Sequence, residues 1–309
     1  MKTARMADTR LNRKPVFIVA FAYGGSNILI NLMRSHPELC SPRGELNEVF
    51  KGRRSEPWAT RFVKCVRYAP ILLAERGRDV FRFNDWTPRS PFKPSTQRRV
   101  DQILFDEKLR ARSPTQNRFK EEGVLYTDQE LRDSRLVCKG LDGLTFVTPE
   151  LSRMYPDATF IGLVRNGFAV VEGHIRRGHK LEKMAEHYEL GCKTMQEHSR
   201  TVPNYHILRY EEIITSPLES LKKLYQWAGV DIGKIKKVRL QFKPVIGRTG
   251  AHEGKTVEGK RPIAWYPLEE MSRHFRPDAN DNQIKRLSEK QKETIRRLCP
   301  TSLKQFGYL

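Results

Sequence analysis

Four small residues, Gly24-Gly25-Ser26-Asn27, stand between an apolar run, Val16 to Phe21, and a series at helical spacing, Ile28, Leu29, Leu32 and Met33. A glycine turn between a strand and a helix leaves the first backbone N–H groups of the helix pointing outward. The helix dipole adds partial positive charge there, so such a turn can hold a phosphate or sulfate. Neither G-x-x-x-x-G-K-[S/T] nor G-x-G-x-x-G occurs, so the segment alone reads either as an anion cradle or as a plain turn. Metal chemistry has no support, since no H-E-x-x-H, D-x-D or EF-hand spacing is present. His36, followed by Pro37, reads as a helix-end residue that caps or packs rather than as a catalytic group.

The elements that must position these residues alternate. Val16 to Ala20 is a short continuous apolar run, as expected of a strand buried on both faces of a parallel sheet. Thr159 to Val164 is a second strand, followed by Arg165-Asn166-Gly167 and a helical stretch from Phe168 towards Arg177. Tyr205 to Tyr210 reads as a third, and Leu218, Leu221, Leu224, Tyr225 and Ala228 form the apolar face of a helix stopped by Gly229. The class is therefore α/β, with a central, mostly parallel sheet flanked by helices.

Composition narrows the function. The 309 residues carry 57 Lys+Arg against 36 Asp+Glu, a net charge of +21, which predicts an anionic ligand or partner. The excess is uneven, +7 over residues 51–150 and +9 over 231–309. No run of about 18 apolar residues occurs, so no membrane span is expected. The basic N-terminus ahead of Val16 imitates a signal peptide, but its apolar run is too short and no A-x-A-like site follows. Five cysteines, widely spaced and never in C-x-x-C, predict neither a disulfide framework nor a zinc site but reduced thiols in a cytoplasmic protein.

Taken together, several segments resemble the sulfotransferases that use 3′-phosphoadenosine 5′-phosphosulfate (PAPS), in particular the carbohydrate and protein-tyrosine types. Phe17 to Leu29 with Leu32, Ser35-His36-Pro37-Glu38 and Gly44-Glu45 is similar to that family's opening strand, phosphosulfate loop, Leu-rich helix, His-Pro and glutamate. Tyr155 to Asn166 resembles its F-P-x-A-x-F-I-x-x-x-R-D-P segment, and Ile207 to Gly229 its R-Y-E-D-L…D-P…F-L-G block. Leu287-Ser288-Glu289 and Phe306-Gly307-Tyr308 resemble its ending. The matches fall in the family's order. They imply a P-loop-like three-layer fold in a single domain, 1–309, with 51–135 an acceptor-side insertion and the Gly- and Lys-rich stretch 243–265 a mobile basic loop.

The resemblance also assigns roles. Gly24, Gly25, Ser26 and Asn27 take the 5′-phosphosulfate and Arg165 the 3′-phosphate, where the bland alternative is a surface salt bridge. Glu45 lies where a catalytic glutamate projects in that family, with Glu48 and then His174 as the alternatives. Two positions depart from the pattern. Tyr23 stands where the loop's Lys or Arg is usual, and Gly173 where a Ser contacts the 3′-phosphate. Lys139, in Val137-Cys138-Lys139-Gly140, occupies roughly the place of the family's Lys-Thr-Pro segment and is expected to supply the missing cation from a neighbouring strand end. Arg43, His174, Arg176 and Arg177 are further candidates, and Lys255, Lys260 and Arg261 could close over the nucleotide. The expected donor is PAPS, without metal. The expected acceptor is a small molecule or glycan bearing a hydroxyl or amine, anionic ones included. Two rivals remain: a P-loop-like kinase or NTPase, against which the absent Walker Lys-Ser/Thr counts, and a basic nucleic-acid-binding protein, for which no recognition motif appears.

Overall fold

The computed structural model describes residues 10–11, 14–42, 45–46, 57–60, 62–63, 92–112, 126–141, 144–241, 245–246, 252–253 and 263–309. In chain order the elements are β1 Val16–Ala20, α1 Ser26–Arg34, β2 Leu39–Cys40, α2 Pro94–Arg110, α3 Asp128–Asp133, β3 Arg135–Leu141, α4 Leu144–Met154, β4 Thr159–Val164, α5 Gly167–Ile175, α6 Leu181–Thr201 and β5 Tyr205–Arg209. Then follow α7 Tyr210–Thr215, α8 Pro217–Ala228, β6 Lys237–Gln241, β7 Val245–Ile246, β8 His252–Glu253, β9 Ile263–Pro267, α9 Asp281–Ile284, α10 Glu289–Leu298 and α11 Pro300–Gln305.

Five strands form a sheet in the order β2-β3-β1-β4-β5, with every pairing parallel. This is the α/β architecture expected from the sequence. Successive side chains of a strand point to opposite faces, and β1 divides accordingly. Phe17 and Val19 join one core with Met184, Ala185, Tyr188 and Met195 of α6. Val16, Ile18 and Ala20 join another with Leu29, Leu32 and Met33 of α1 and Leu221 and Leu224 of α8. That two-sided burial is why β1 is an unbroken apolar run. β6 and β9 pair antiparallel, with Gln241 opposite Ile263, so the basic run between them leaves and returns at one place. Of the sequence-predicted segments, most of 243–265 and much of 51–135 lie outside the described residues, as do Arg43, Glu48, Lys255, Lys260 and Arg261.

From β1 the chain moves first to one side of the sheet and later to the other, which opens a crevice at the carboxyl ends of the central strands. Parallel α/β sheets bind ligands at such a point. The turn after β1, Lys139 near the end of β3 and Arg165 just after β4 all converge there. A cleft of about 500 Å³ lined by Lys14, Arg135, Asp157, Thr159, Asn204, Trp227 and Gly229 lies at the opposite, amino ends of the strands, remote from these groups.

Candidate active site

The turn that leaves β1 is tightly specified. Gly24 donates its N–H to the Phe21 carbonyl at 3.0 Å. Tyr23 and Gly25 both adopt left-handed backbone conformations, φ 64° and 88°, the first unusual for a residue with a side chain. Gly25 is required twice over, because a Cβ there would stand 2.2 Å from the ring of Tyr210. Gly25 then acts as the N-cap of α1, which has no side-chain cap and no acidic residue in its first turn. With no side-chain cap at that end among the described residues, the first-turn N–H groups and the dipole are directed at the crevice.

The side chain of Lys139 reaches this helix start from the adjacent strand. Its ammonium donates to Asn27 Oδ1 at 2.8 Å and pairs with Glu45 Oε1 at 2.8 Å. Lys139 is largely buried, with 8% side-chain exposure, while Glu45 at 23% keeps an open side. The structure thus brings together three sequence candidates, Asn27, Lys139 and Glu45, at the uncapped end of α1. A cation beside a cluster of backbone donors can stabilise negative charge growing on a leaving oxygen. A partly exposed carboxylate next to it can accept a proton.

Arg165 approaches the same turn from beneath. Its Nη1 donates to the Tyr23 carbonyl at 2.8 Å, its Nε to Asn280 Oδ1 at 2.8 Å, and its Nη2 to Gln283 Oε1. The guanidinium also lies 4.4 Å from the centroid of the Tyr210 ring. Burial lowers its pKa from the usual arginine range, partly offset by Tyr210 and Glu211. Neither a surface salt bridge nor an open cation, Arg165 clamps the turn. Glu211 organises the clamp by accepting from Asn280 Nδ2 at 2.5 Å, Asn166 N at 3.0 Å and the Tyr308 hydroxyl at 2.7 Å. Asn280, Gln283 and Tyr308 went unassigned in the sequence because they lie far from Arg165 along the chain. Tyr210 and Glu211 belong to a recognisable block that by itself gave them no role.

The two departures from the family pattern turn out to be neighbours. A Cβ at Gly173, on α5, would sit 2.7 Å from Tyr23 Cβ and 2.8 Å from Cγ, so the Tyr23 side chain occupies the room that a side chain at 173 would need. The adjacent His174 is buried with its ring edge-on to Tyr23, centroids 4.9 Å apart. Arg176 pairs with Glu172 at 3.3 Å and Arg177 is exposed. His36 is a packing residue: it accepts from Glu38 N at Nδ1 (3.1 Å) and therefore donates from Nε2 to the Asp231 carbonyl (2.8 Å). Desolvation by burial lowers its pKa, and the two bonds fix the neutral tautomer. Cys40, Cys138, Cys192 and Cys299 are buried, and burial pushes the Cys299 thiol up to about 12. Among the described residues no cluster of His, Cys, Asp or Glu has the makings of a metal site, and no helix is long and apolar enough to cross a membrane.

Comparison with known proteins supplies the class. The profile described as "Sulfotransferase family" matches residues 15–233, most of the chain and all five strands of the parallel sheet, so the protein belongs to the sulfotransferase family. A search of curated proteins finds no match. Among solved structures, the sulfotransferase domain of the Synechococcus PCC 7002 olefin synthase is similar over 99% of both chains at 16% identity, with a TM-score of 0.52. The sulfotransferase domain from the curacin biosynthetic pathway matches over 96% of this chain and 99% of its own at 14% identity and TM-score 0.47. A mouse sulfotransferase, SULT7A1, solved in complex with PAP, matches over 92% and 82% at 14% identity and TM-score 0.40. At these identities the first likeness speaks to the fold.

Proposed function

We propose that this protein transfers a sulfuryl group from PAPS to a hydroxyl or amine of a small-molecule or glycan acceptor in the cytoplasm. The observation that carries this reading is the Lys139–Glu45 pair at 2.8 Å, joined to Asn27 at the uncapped start of α1. The backbone N–H groups of Gly25, Ser26 and Asn27 hold the 5′-phosphosulfate oxygens, that of Gly24 being spent on the Phe21 carbonyl. Lys139 replaces the loop cation whose place Tyr23 takes, and neutralises charge on the bridging oxygen as the S–O bond to the phosphate breaks. Glu45 receives the acceptor's proton as the new bond to sulfur forms, so the charges balance without a metal.

Arg165 is assigned to the 3′ side of the donor site. With Nε, Nη1 and Nη2 all bonded to protein atoms, it acts chiefly by fixing the Tyr23 carbonyl and lending its charge. Gly173, covered by Tyr23, leaves direct contact with the 3′-phosphate to a cation such as Arg176 or Arg177 at the end of α5. Segment 51–135 is proposed to face the acceptor and 243–265 to lie over the nucleotide.

The test is thermal shift with 3′,5′-diphosphoadenosine, the desulfated product. At 100 times its dissociation constant it should add about 2.7 kcal/mol to stability. A shift with ATP and Mg²⁺ and none with the diphosphoadenosine would replace this reading with a kinase. Product mass spectrometry over an acceptor panel would then identify the acceptor.

A further inference from the structure

Arg239 is fully buried, at 0% exposure, and is among the largest side chains with no access to solvent. It sits on β6, outside the parallel sheet, with its backbone opposite Trp265 of β9. A fully buried guanidinium is costly. Where only packing is needed, an apolar residue of similar size usually serves as well or better. Its contacts run along one stripe of α1, at positions four residues apart. The Arg239 backbone N–H donates to Ser35 Oγ at 2.8 Å, and Nη1 donates to Asn31 Oδ1 at 2.6 Å. That bond fixes which way the Asn31 amide faces, so Asn31 Nδ2 donates to the Asn27 carbonyl at 2.5 Å. Asn27 in turn presents Oδ1 to the Lys139 ammonium at 2.8 Å, and the ammonium holds Glu45.

We propose that Arg239 is a positioning residue that acts through Asn31 and Asn27 to hold the Lys139 ammonium at the start of α1. Asn27 lies in the first turn of the helix, where the backbone frays most easily. An extra hydrogen bond to its carbonyl from Asn31, itself pinned by a buried cation, keeps that turn closed and its side chain aimed at Lys139. Asn31 and Ser35 are small polar residues on a helix face that otherwise packs against apolar side chains, and Arg239 satisfies both. In its nucleotide arm the proposal rests on the sulfotransferase reading; in its structural arm it does not.

The structural arm measures how fast Lys139 is reductively methylated in the ligand-free protein, followed by mass spectrometry. Arg239→Met should raise that rate about 3- to 10-fold in protein that still unfolds cooperatively. Asn31→Asp serves if the Met variant fails to fold. It keeps the guanidinium paired, now with a carboxylate, and removes only the N–H that reaches Asn27. It should release Lys139 to the same degree, whereas Arg239→Lys should restore partial protection. An unchanged methylation rate in folded Arg239→Met or Asn31→Asp protein overturns the proposal.

The nucleotide arm is a double-mutant cycle on affinity for 3′,5′-diphosphoadenosine. Asn27→Ala and Arg239→Met should each weaken binding about 5- to 20-fold, and the double variant should be no worse than Asn27→Ala alone. Fully additive losses would mean that Arg239 does not act through Asn27 and would overturn the relay. If the wild-type protein ignores the nucleotide, the sulfotransferase reading fails while the methylation arm still decides the role of Arg239.

Discussion

Lys139 and Glu45 make opposite predictions for the same ligand. Lys139→Met removes an ammonium that is 8% exposed and stands beside the backbone donors of α1. A charge-assisted hydrogen bond to a bound anion contributes about 1.5–3 kcal/mol, so the dissociation constant for 3′,5′-diphosphoadenosine should rise about 10- to 150-fold. Glu45→Gln should do the reverse. In the free protein the carboxylate competes for the ammonium at 2.8 Å and repels an arriving anion. For unit charges about 6 Å apart at an effective dielectric constant of about 40, intermediate for a carboxylate that keeps a solvent-facing side, that repulsion is about 1.4 kcal/mol. Affinity should therefore improve about 5- to 10-fold in Glu45→Gln, even as turnover falls by roughly 10²–10⁴-fold for loss of the base. Isothermal titration at low and physiological salt measures both, and the Glu45→Gln gain should shrink as salt is added. Weaker binding in Glu45→Gln, matching that of Lys139→Met, would refute the reasoning. It would mean that the pair is a structural unit and that the phosphates bind elsewhere.

Gly25→Ala places a Cβ 2.2 Å from Tyr210 at a φ of 88°; strain and overpacking together should cost about 2–5 kcal/mol, read from the urea midpoint. His36, His198 and His206 all have pKa values lowered mainly by burial. Below about pH 6.5 the unfolded chain therefore takes up protons that the folded one refuses, and stability should fall until the folded values are passed. His36→Asn should flatten the fall in urea midpoint between pH 7 and 5.5; an unchanged slope would remove His36 from this account. Gly173→Ala should be neutral or destabilising in the wild type and stabilising by up to about 1 kcal/mol in a Tyr23→Gly background, a coupling of about 1–3 kcal/mol in a double-mutant cycle. Additive effects would show that Tyr23 does not occupy the space over Gly173.

Local pattern made the centre of the sheet legible. β1 and β4 are buried on both faces, so their apolar runs were unbroken, and Gly229 in the left-handed conformation ended α8 where the sequence placed it. The third strand was read one residue too long: Tyr210 opens α7, with Glu211 and Glu212 in its first turn, and acidic residues at that point are a helix-start signal that outweighs the aromatic's strand preference. α6, 21 residues long, was missed although Met184, Tyr188, Cys192 and Met195 fall on one buried stripe, because charged residues surround that stripe. For the site, Lys139 came from its resemblance to the family's Lys-Thr-Pro segment, and the structure sets it beside Asn27 and Glu45. Arg239 was not, since a cation in a basic stretch reads as solvated and its partner Asn31 lies 208 positions away. The partners of Arg165 are equally remote, with Asn280 115 positions on.

The departures at Tyr23 and Gly173 meet in space, and the cation missing from the loop bears on the chemistry. A side chain at 173 would stand 2.7 Å from the Cβ of Tyr23, and the Tyr23 carbonyl is the group that Arg165 holds. Charge removed from the turn has to return from a rigid element if the leaving oxygen is to be neutralised, and β3, hydrogen-bonded to β1 with Lys139 opposite Ile18, is the nearest strand able to carry it. A lysine entering from the sheet meets Glu45 on its way to the helix start, which a cation borne on the turn itself need not do. On the proposed reading, the cation that stabilises the departing nucleotide and the carboxylate that receives the acceptor's proton are one ion pair. On that reading donor and Glu45 draw on the same ammonium, which is why the proposal predicts opposite effects of Lys139→Met and Glu45→Gln on donor affinity.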